Sequence, residues 1–135
     1  MEKPRILLVD DDALVRRAFA RNLAGCYEVI EAEDLHSAQG RLEPRLVAVV
    51  SDLEMKTTDA GLLLLLEVKR ALPKVGRVLM SGSSSRLREL SEPIGRICHR
   101  VVLKPPGQAE LLDSIAAARL AAQLEHDAIP GSHEA

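Results

Sequence analysis

The stretch Leu46-Val47-Ala48-Val49-Val50-Ser51-Asp52-Leu53-Glu54-Met55 decides the fold. A run of apolar, mostly β-branched residues that stops on a single acid reads as a buried central strand delivering Asp52 to its carboxyl end. In an open α/β sheet that edge is where ligands bind. Working outward, Ile6-Leu7-Leu8-Val9 runs into Asp10-Asp11-Asp12, and Val101-Val102-Leu103 runs into Lys104-Pro105. Parallel neighbouring strands would bring these acids and this lysine into one pocket.

Charge says what such a pocket can do. Two or three carboxylates about 4 Å apart repel by roughly 4 kcal/mol per pair at an effective dielectric near 20, so the cluster calls for a cation. A hard, oxygen-preferring ion such as Mg²⁺ suits it. Lys104 adds a positive point charge able to pair with a carboxylate or a phosphoryl oxygen. The chemistry this favours is phosphoryl transfer onto a carboxylate.

The chain has 135 residues, enough for one domain with a proper core. Apolar residues make up 47% and charged residues 28%, with a formal charge of −2, a balance that gives no electrostatic case for nucleic acid or a membrane surface. Arg77, Arg86, Arg88, Arg96 and Arg100 are read as ordinary solvated surface. No stretch reaches the length of a membrane span, and the first strand begins too early for a signal peptide, so a cytoplasmic protein is expected. Cys26 and Cys98 have neither metal-type spacing nor a disulfide framework and are read as reduced thiols. With one phenylalanine, one tyrosine and no tryptophan, the core must rest on aliphatic residues.

Along the chain, Asp11 or Asp12 can cap a helix with Leu14, Val15, Ala18, Phe19 and Leu23 at helical spacing, stopped by Gly25. Tyr27 to Ala32 reads as a strand, and Asp34 or Ser37 opens a short helix toward Leu42. Ala60-Gly61 opens a helix ending near Leu72-Pro73. Its five leucines, Leu62 to Leu66, advance about 100° each and cannot all face inward. They give either a broad core surface with one or two exposed leucines, or a face for a partner or a second copy. Val75 to Met80 is the fourth strand, and a helix from about Arg86 to Leu90 or beyond follows, its end left open because Pro93 and Gly95 interrupt the pattern. The last helix places Leu111, Leu112, Ile115, Ala116 and Leu120 on one face. Five βα units of this kind make a parallel sheet with helices on both faces. His36, His99, His126 and His133 are scattered and read as surface residues.

The ordered elements Leu8-Val9-Asp10-Asp11-Asp12, Ser51-Asp52-Leu53-Glu54-Met55, Met80-Ser81-Gly82 and Leu103-Lys104-Pro105 resemble the response-regulator receiver domain of two-component signalling, from about Arg5 to Leu124. The resemblance implies a flavodoxin-like sheet in the order 2-1-3-4-5. It implies that Asp52 accepts the phosphoryl group and that Asp11, Asp52 and the backbone carbonyl of Glu54 hold Mg²⁺, with Asp10 acting through a metal-bound water. Ser81 would hydrogen-bond the phosphoryl group, and Lys104, before a cis proline, would pair with it. The implied partners are a histidine kinase or histidine phosphotransfer protein and a downstream protein; a homodimer is compatible with it. The implied protein is a phosphoacceptor rather than a conventional enzyme, a stand-alone domain over 1–124 with a frayed tail over 125–135.

Three departures from the family pattern stand out. Lys56, Thr57 and Thr58 replace the proline and glycine that often follow the acceptor. Val101 stands where the family commonly has an aromatic ring three residues before the lysine. Glu54 brings a negative charge to the pocket mouth, able to slow attack by water on a phosphoaspartate or to orient it. Val101 and the unusual loop keep a rival reading open, a receiver-like scaffold that binds constitutively without switching. A Mg²⁺-dependent phosphohydrolase is disfavoured, since neither a second acid placed as general acid nor a substrate cap is visible.

Overall fold

The computed structural model describes residues 2–128. Five parallel strands, β1 (Arg5–Val9), β2 (Glu28–Ala32), β3 (Leu46–Asp52), β4 (Gly76–Ser81) and β5 (Arg100–Leu103), form one sheet in the order β2-β1-β3-β4-β5. The helices are α1 (Ala13–Leu23), α2 (Leu35–Gln39), α3 (Ala60–Ala71), α4 (Ser84–Glu89), α5 (Ser91–Ile97) and α6 (Gln108–Ala128).

Side chains alternate across a strand, so each strand feeds two cores. Ile6, Leu8, Ala48, Val50, Val78 and Met80 pack on one face with α1 and α6 through Phe19, Leu23, Leu111 and Ile115. Leu7, Val9, Val49 and Leu79 pack on the other with Ala38, Leu64, Leu65, Val68, Ile94 and Ile97 of α2, α3 and α5. Burial on both faces is why the central strands read as unbroken apolar runs.

Several expectations need correction. The fourth crossover holds two short helices, α4 and α5, with Leu90 between them at φ −101° and ψ 15°. Pro93 sits in the first turn of α5, where its missing N–H has no intrahelical partner to lose. Gly25 does not cap α1 in a left-handed conformation; the chain leaves through Ala24, and Tyr27 donates its N–H back to the Leu23 carbonyl. On α6 the buried stripe is Leu111, Ile115, Ala118 and Ala122, while Ala116 and Leu120 face solvent. The helix continues unbroken through Leu124 to Ala128; residues 129–135 of the expected tail, with His133, lie outside the described residues.

Arg77 and His99 are not surface residues. The Arg77 guanidinium is buried and donates to the carbonyls of Ile97 (2.6 Å) and Val75 (3.2 Å). Its backbone N–H donates to His99 Nδ1 (3.0 Å), and His99 Nε2 meets the Glu125 carboxylate of α6. Burial and the Arg77 charge hold the His99 pKa down, against the pull of Glu125. Buried polar groups are tolerable when paired in this way. Cys26 and Cys98 are free thiols, and burial pushes Cys98 up to about 12.

Two contacts seat helices on the sheet with no room to spare. A Cβ at Gly76 would lie 2.8 Å from backbone atoms of Ala118 and Arg119, so α6 rests directly on β4. A Cβ at Gly61 would lie 1.9 Å from the Asp52 carbonyl oxygen, so α3 begins against the end of β3. Gly61→Ala is expected to destabilise by about 3 kcal/mol through overpacking. Gly95→Ala, where a Cβ meets nothing within 4 Å, should instead be neutral or stabilise by up to about 1 kcal/mol. Urea denaturation distinguishes the two; similar effects at both positions would contradict the close seat at Gly61.

Candidate functional site

Register puts the strand ends side by side: Val9 lies opposite Ser51, Asp52 opposite Met80, and Ser81 opposite Leu103. The chain leaving each strand stays tied to its neighbour. Asp10 donates its N–H to Ala32 (3.2 Å), Leu53 to Met80 (2.7 Å) and Lys104 to Ser81 (2.9 Å). Asp10, Asp52, Ser81 and Lys104 therefore leave the sheet along one edge.

There Asp10, Asp11 and Asp52 each offer a carboxylate oxygen within 4.8 Å of the others. Asp10 and Asp52 are buried, and Asp11 is exposed at the rim. Lys104 Nζ donates to Asp10 Oδ2 at 2.7 Å and lies 3.4 Å from Asp52 Oδ1. Its peptide bond to Pro105 is cis. Asp12 takes no part in the cluster and caps α1, accepting from the N–H groups of Leu14 and Val15 at 3.1 Å. Asp10 is fixed from two sides: its Oδ1 accepts from the Asp12 N–H (3.0 Å), and Arg16 donates to its carbonyl (2.8 Å).

The electrostatics follow from this crowding. Burial pushes the Asp52 carboxyl up to about 6; Lys104 pulls it down, while Asp10 and Asp11 push it further up. For Lys104, burial works against the charge, but the hydrogen bond to Asp10 and the charges of Asp52 and Asp10 prevail and raise its pKa. The all-oxygen set of Asp10, Asp11 and Asp52 fits a hard divalent cation, and one lysine does not neutralise three acids.

Ser81 stands at the expected strand end, but its Oγ accepts from the Ser83 N–H (3.0 Å) within its own turn. Its donation to the Ser83 carbonyl is long, at 3.5 Å, leaving the hydroxyl proton weakly engaged. The Glu54 carboxylate is not part of that acid cluster and lies 3.5 Å from Arg86 Nε. Arg86 is the residue the sequence did not announce. From the first half of α4 it also reaches Asp59 and Glu89, each at 2.6 Å. Asp59 occupies the left-handed region at φ 61° just before α3. Only Glu89, three residues on in the same helix, was visible as a partner by spacing. Val101 is 41% exposed and fills no interior site.

A scan against protein-family models finds no match, and a search of curated proteins finds none either. Solved structures do match. The chain is similar to a response regulator receiver domain protein from Clostridium thermocellum, with a TM-score of 0.78 and 19% identity over 90% of this chain and 98% of that one. A CheY-like response regulator receiver domain protein from Methanospirillum hungatei gives 0.78 and 21%, covering 93% and 99%. The response regulator protein TrrA from Thermotoga maritima, solved in complex with Mg²⁺-BeF, gives 0.71 and 23%, covering 86% and 97%. The fold is that of response-regulator receiver domains. At these identities the likeness is one of fold, and the receiver fold here carries the strand order expected from the sequence. No helix among the described residues is long and apolar enough to cross a membrane.

Because the folded Asp52 sits near 6 and an ordinary aspartate near 3.8, its protonated form favours the fold. That stability is complete below the lower value and is lost as pH rises through the upper one. In EDTA, the wild type should lose roughly 1.4 kcal/mol from this group between pH 5 and 7.5, and Asp52→Asn should not. The stability difference between the two proteins at each pH, measured by urea denaturation, isolates this group; a pH-independent difference would contradict the raised pKa.

Proposed function

We propose that this chain is a phosphoacceptor signalling domain of a two-component system, taking a phosphoryl group on Asp52 and switching a protein-binding surface. The observation that carries the reading is Lys104 held between Asp10 and Asp52 beside a third carboxylate, Asp11, at the ligand-binding edge of a receiver-type sheet. The donor is a phosphohistidine on a histidine kinase or histidine phosphotransfer protein, the recipient a downstream protein, and the setting cytoplasmic. The chain acts as an acceptor that assists its own phosphorylation and dephosphorylation, not as a conventional enzyme.

A carboxylate oxygen of Asp52 attacks phosphorus; the P–N bond to the donor imidazole, already protonated on its other ring nitrogen, breaks as the acyl phosphate P–O bond forms, and neutral imidazole leaves. With its carboxyl near 6, Asp52 is mostly ionised at neutral pH and available as nucleophile. Lys104 exchanges part of its contact with Asp52 for an oxygen of the transferred group. Ser81 turns its weakly engaged hydroxyl from the Ser83 carbonyl to donate to another. Mg²⁺, held by Asp11, Asp52 and the Glu54 carbonyl, with Asp10 acting through a water, would supply positive charge where the phosphoryl oxygens crowd.

Val101 keeps the scaffold reading in view, because a valine offers no large ring to move inward when Ser81 turns. Mg²⁺ separates the readings: a working site is stabilised as RT ln(1 + [L]/Kd), and an inert one is not. Incubation with acetyl phosphate and Mg²⁺ should add one phosphoryl mass to the wild type and none to Asp52→Asn. Lys104→Ala should slow the addition by about a hundred-fold or more. Equal labelling of wild type and Asp52→Asn would remove Asp52 from its role.

A further inference from the structure

The five leucines of α3 are not all spent on the core. Leu64 and Leu65 are fully buried, but Leu63 is 53% exposed and Leu66 half-buried. These two lie beside a groove of about 690 Å³ whose other wall is α5, with Pro93 and Ile97. Its rim is cationic: Lys69, Arg70 and Arg96 line it. Lys69 donates to the Arg96 carbonyl and so ties α3 to α5, which sets the width of the groove. The acid lining it is Asp59, at the entrance to α3, and Arg86 holds that carboxylate at 2.6 Å.

We infer that this groove is the output surface, taking an amphipathic helix of a partner protein that carries leucine-like anchors and an acidic flank. The inference rests on the phosphoacceptor reading and names the surface that reading leaves open. An apolar floor with three cations at its rim matches an acidic helix laid in by its apolar face. Arg86 joins the groove to the loop that follows Asp52. It touches Glu54, two residues past the acceptor, and Asp59, at the groove. A phosphoryl group brings close to two negative charges and competes for this arginine. As Arg86 is drawn off, Asp59 is left uncompensated at the groove and repels the acidic helix. Phosphorylation therefore releases the partner.

The probe is a designed helical peptide of about five turns, with leucines at i, i+3 and i+7 and flanking glutamates, titrated into ¹⁵N-labelled full chain. Shifts should concentrate on Leu63, Leu66, Arg70 and Arg96. The scrambled peptide and a lysine-flanked version should bind at least about ten-fold more weakly, as should the exposed-site variants Leu63→Asp and Arg70→Glu. After loading with acetyl phosphate and Mg²⁺, checked by mass, affinity should fall about five-fold in the wild type. Asp59→Asn, which keeps a side chain suited to the left-handed region, should bind the peptide and lose that response. Indifference to peptide sequence, shifts spread over the surface, or concentration-dependent dimerisation abolished by Leu63→Asp would overturn the groove assignment. Full phosphoryl loading with unchanged affinity would overturn the coupling. Absence of phosphoryl addition with intact peptide binding would instead count against Asp52 as acceptor and leave the groove standing.

Discussion

The interaction on which the site depends is the Lys104 ammonium wedged between Asp10 and Asp52. Two buried carboxylates at the end of adjacent strands repel, and the folded chain tolerates them because one cation bridges both. That bridge joins residues 94 positions apart, from the end of the first strand to the end of the fifth. It forms only when β3 sits between β1 and β4 in parallel register and β5 completes the edge. Fold and acid cluster are thus one constraint: the strand order that brings the lysine to the acids is the order that covers both faces of the sheet with helices.

Much of this was legible because buried parallel strands leave an unmistakable mark. Each apolar run ended on the residue that reaches the site, and Asp10, Asp11, Asp52, Ser81 and Lys104 all emerge at one edge. What escaped was set by tertiary contacts that local pattern does not carry. Leu120 and Leu111 are alike in composition, yet one faces solvent and the other the sheet, because the close seat of α6 at Gly76 fixes the rotation of that helix. Arg77 looked like any other arginine in a basic half. Its burial depends on the nearby Val75 carbonyl but also on the Ile97 carbonyl and on His99, twenty or more residues away, which its own neighbourhood does not announce. The division of α4 from α5 turned on Leu90, while Pro93 proved compatible with a first helical turn.

Arg86 belongs to the same class of hidden residue, and it changes how the departures from the family pattern are read. The loop after Asp52 carries Lys56, Thr57 and Thr58 where the family pattern often has proline and glycine, and it is held at its two ends, Glu54 and the left-handed Asp59, by one guanidinium. Exposed ion pairs individually contribute little, but a single arginine shared among three carboxylates restrains the loop at two points. The loop is thus held by charge rather than by a proline.

The seat of Gly61 against Asp52 has a mechanical meaning. Where no atom fits between a helix and a strand terminus, the two cannot slide independently, and the peptide unit following Asp52 takes its orientation from the axis of α3. A tilt of that twelve-residue rod would therefore carry the Asp52 carbonyl with it.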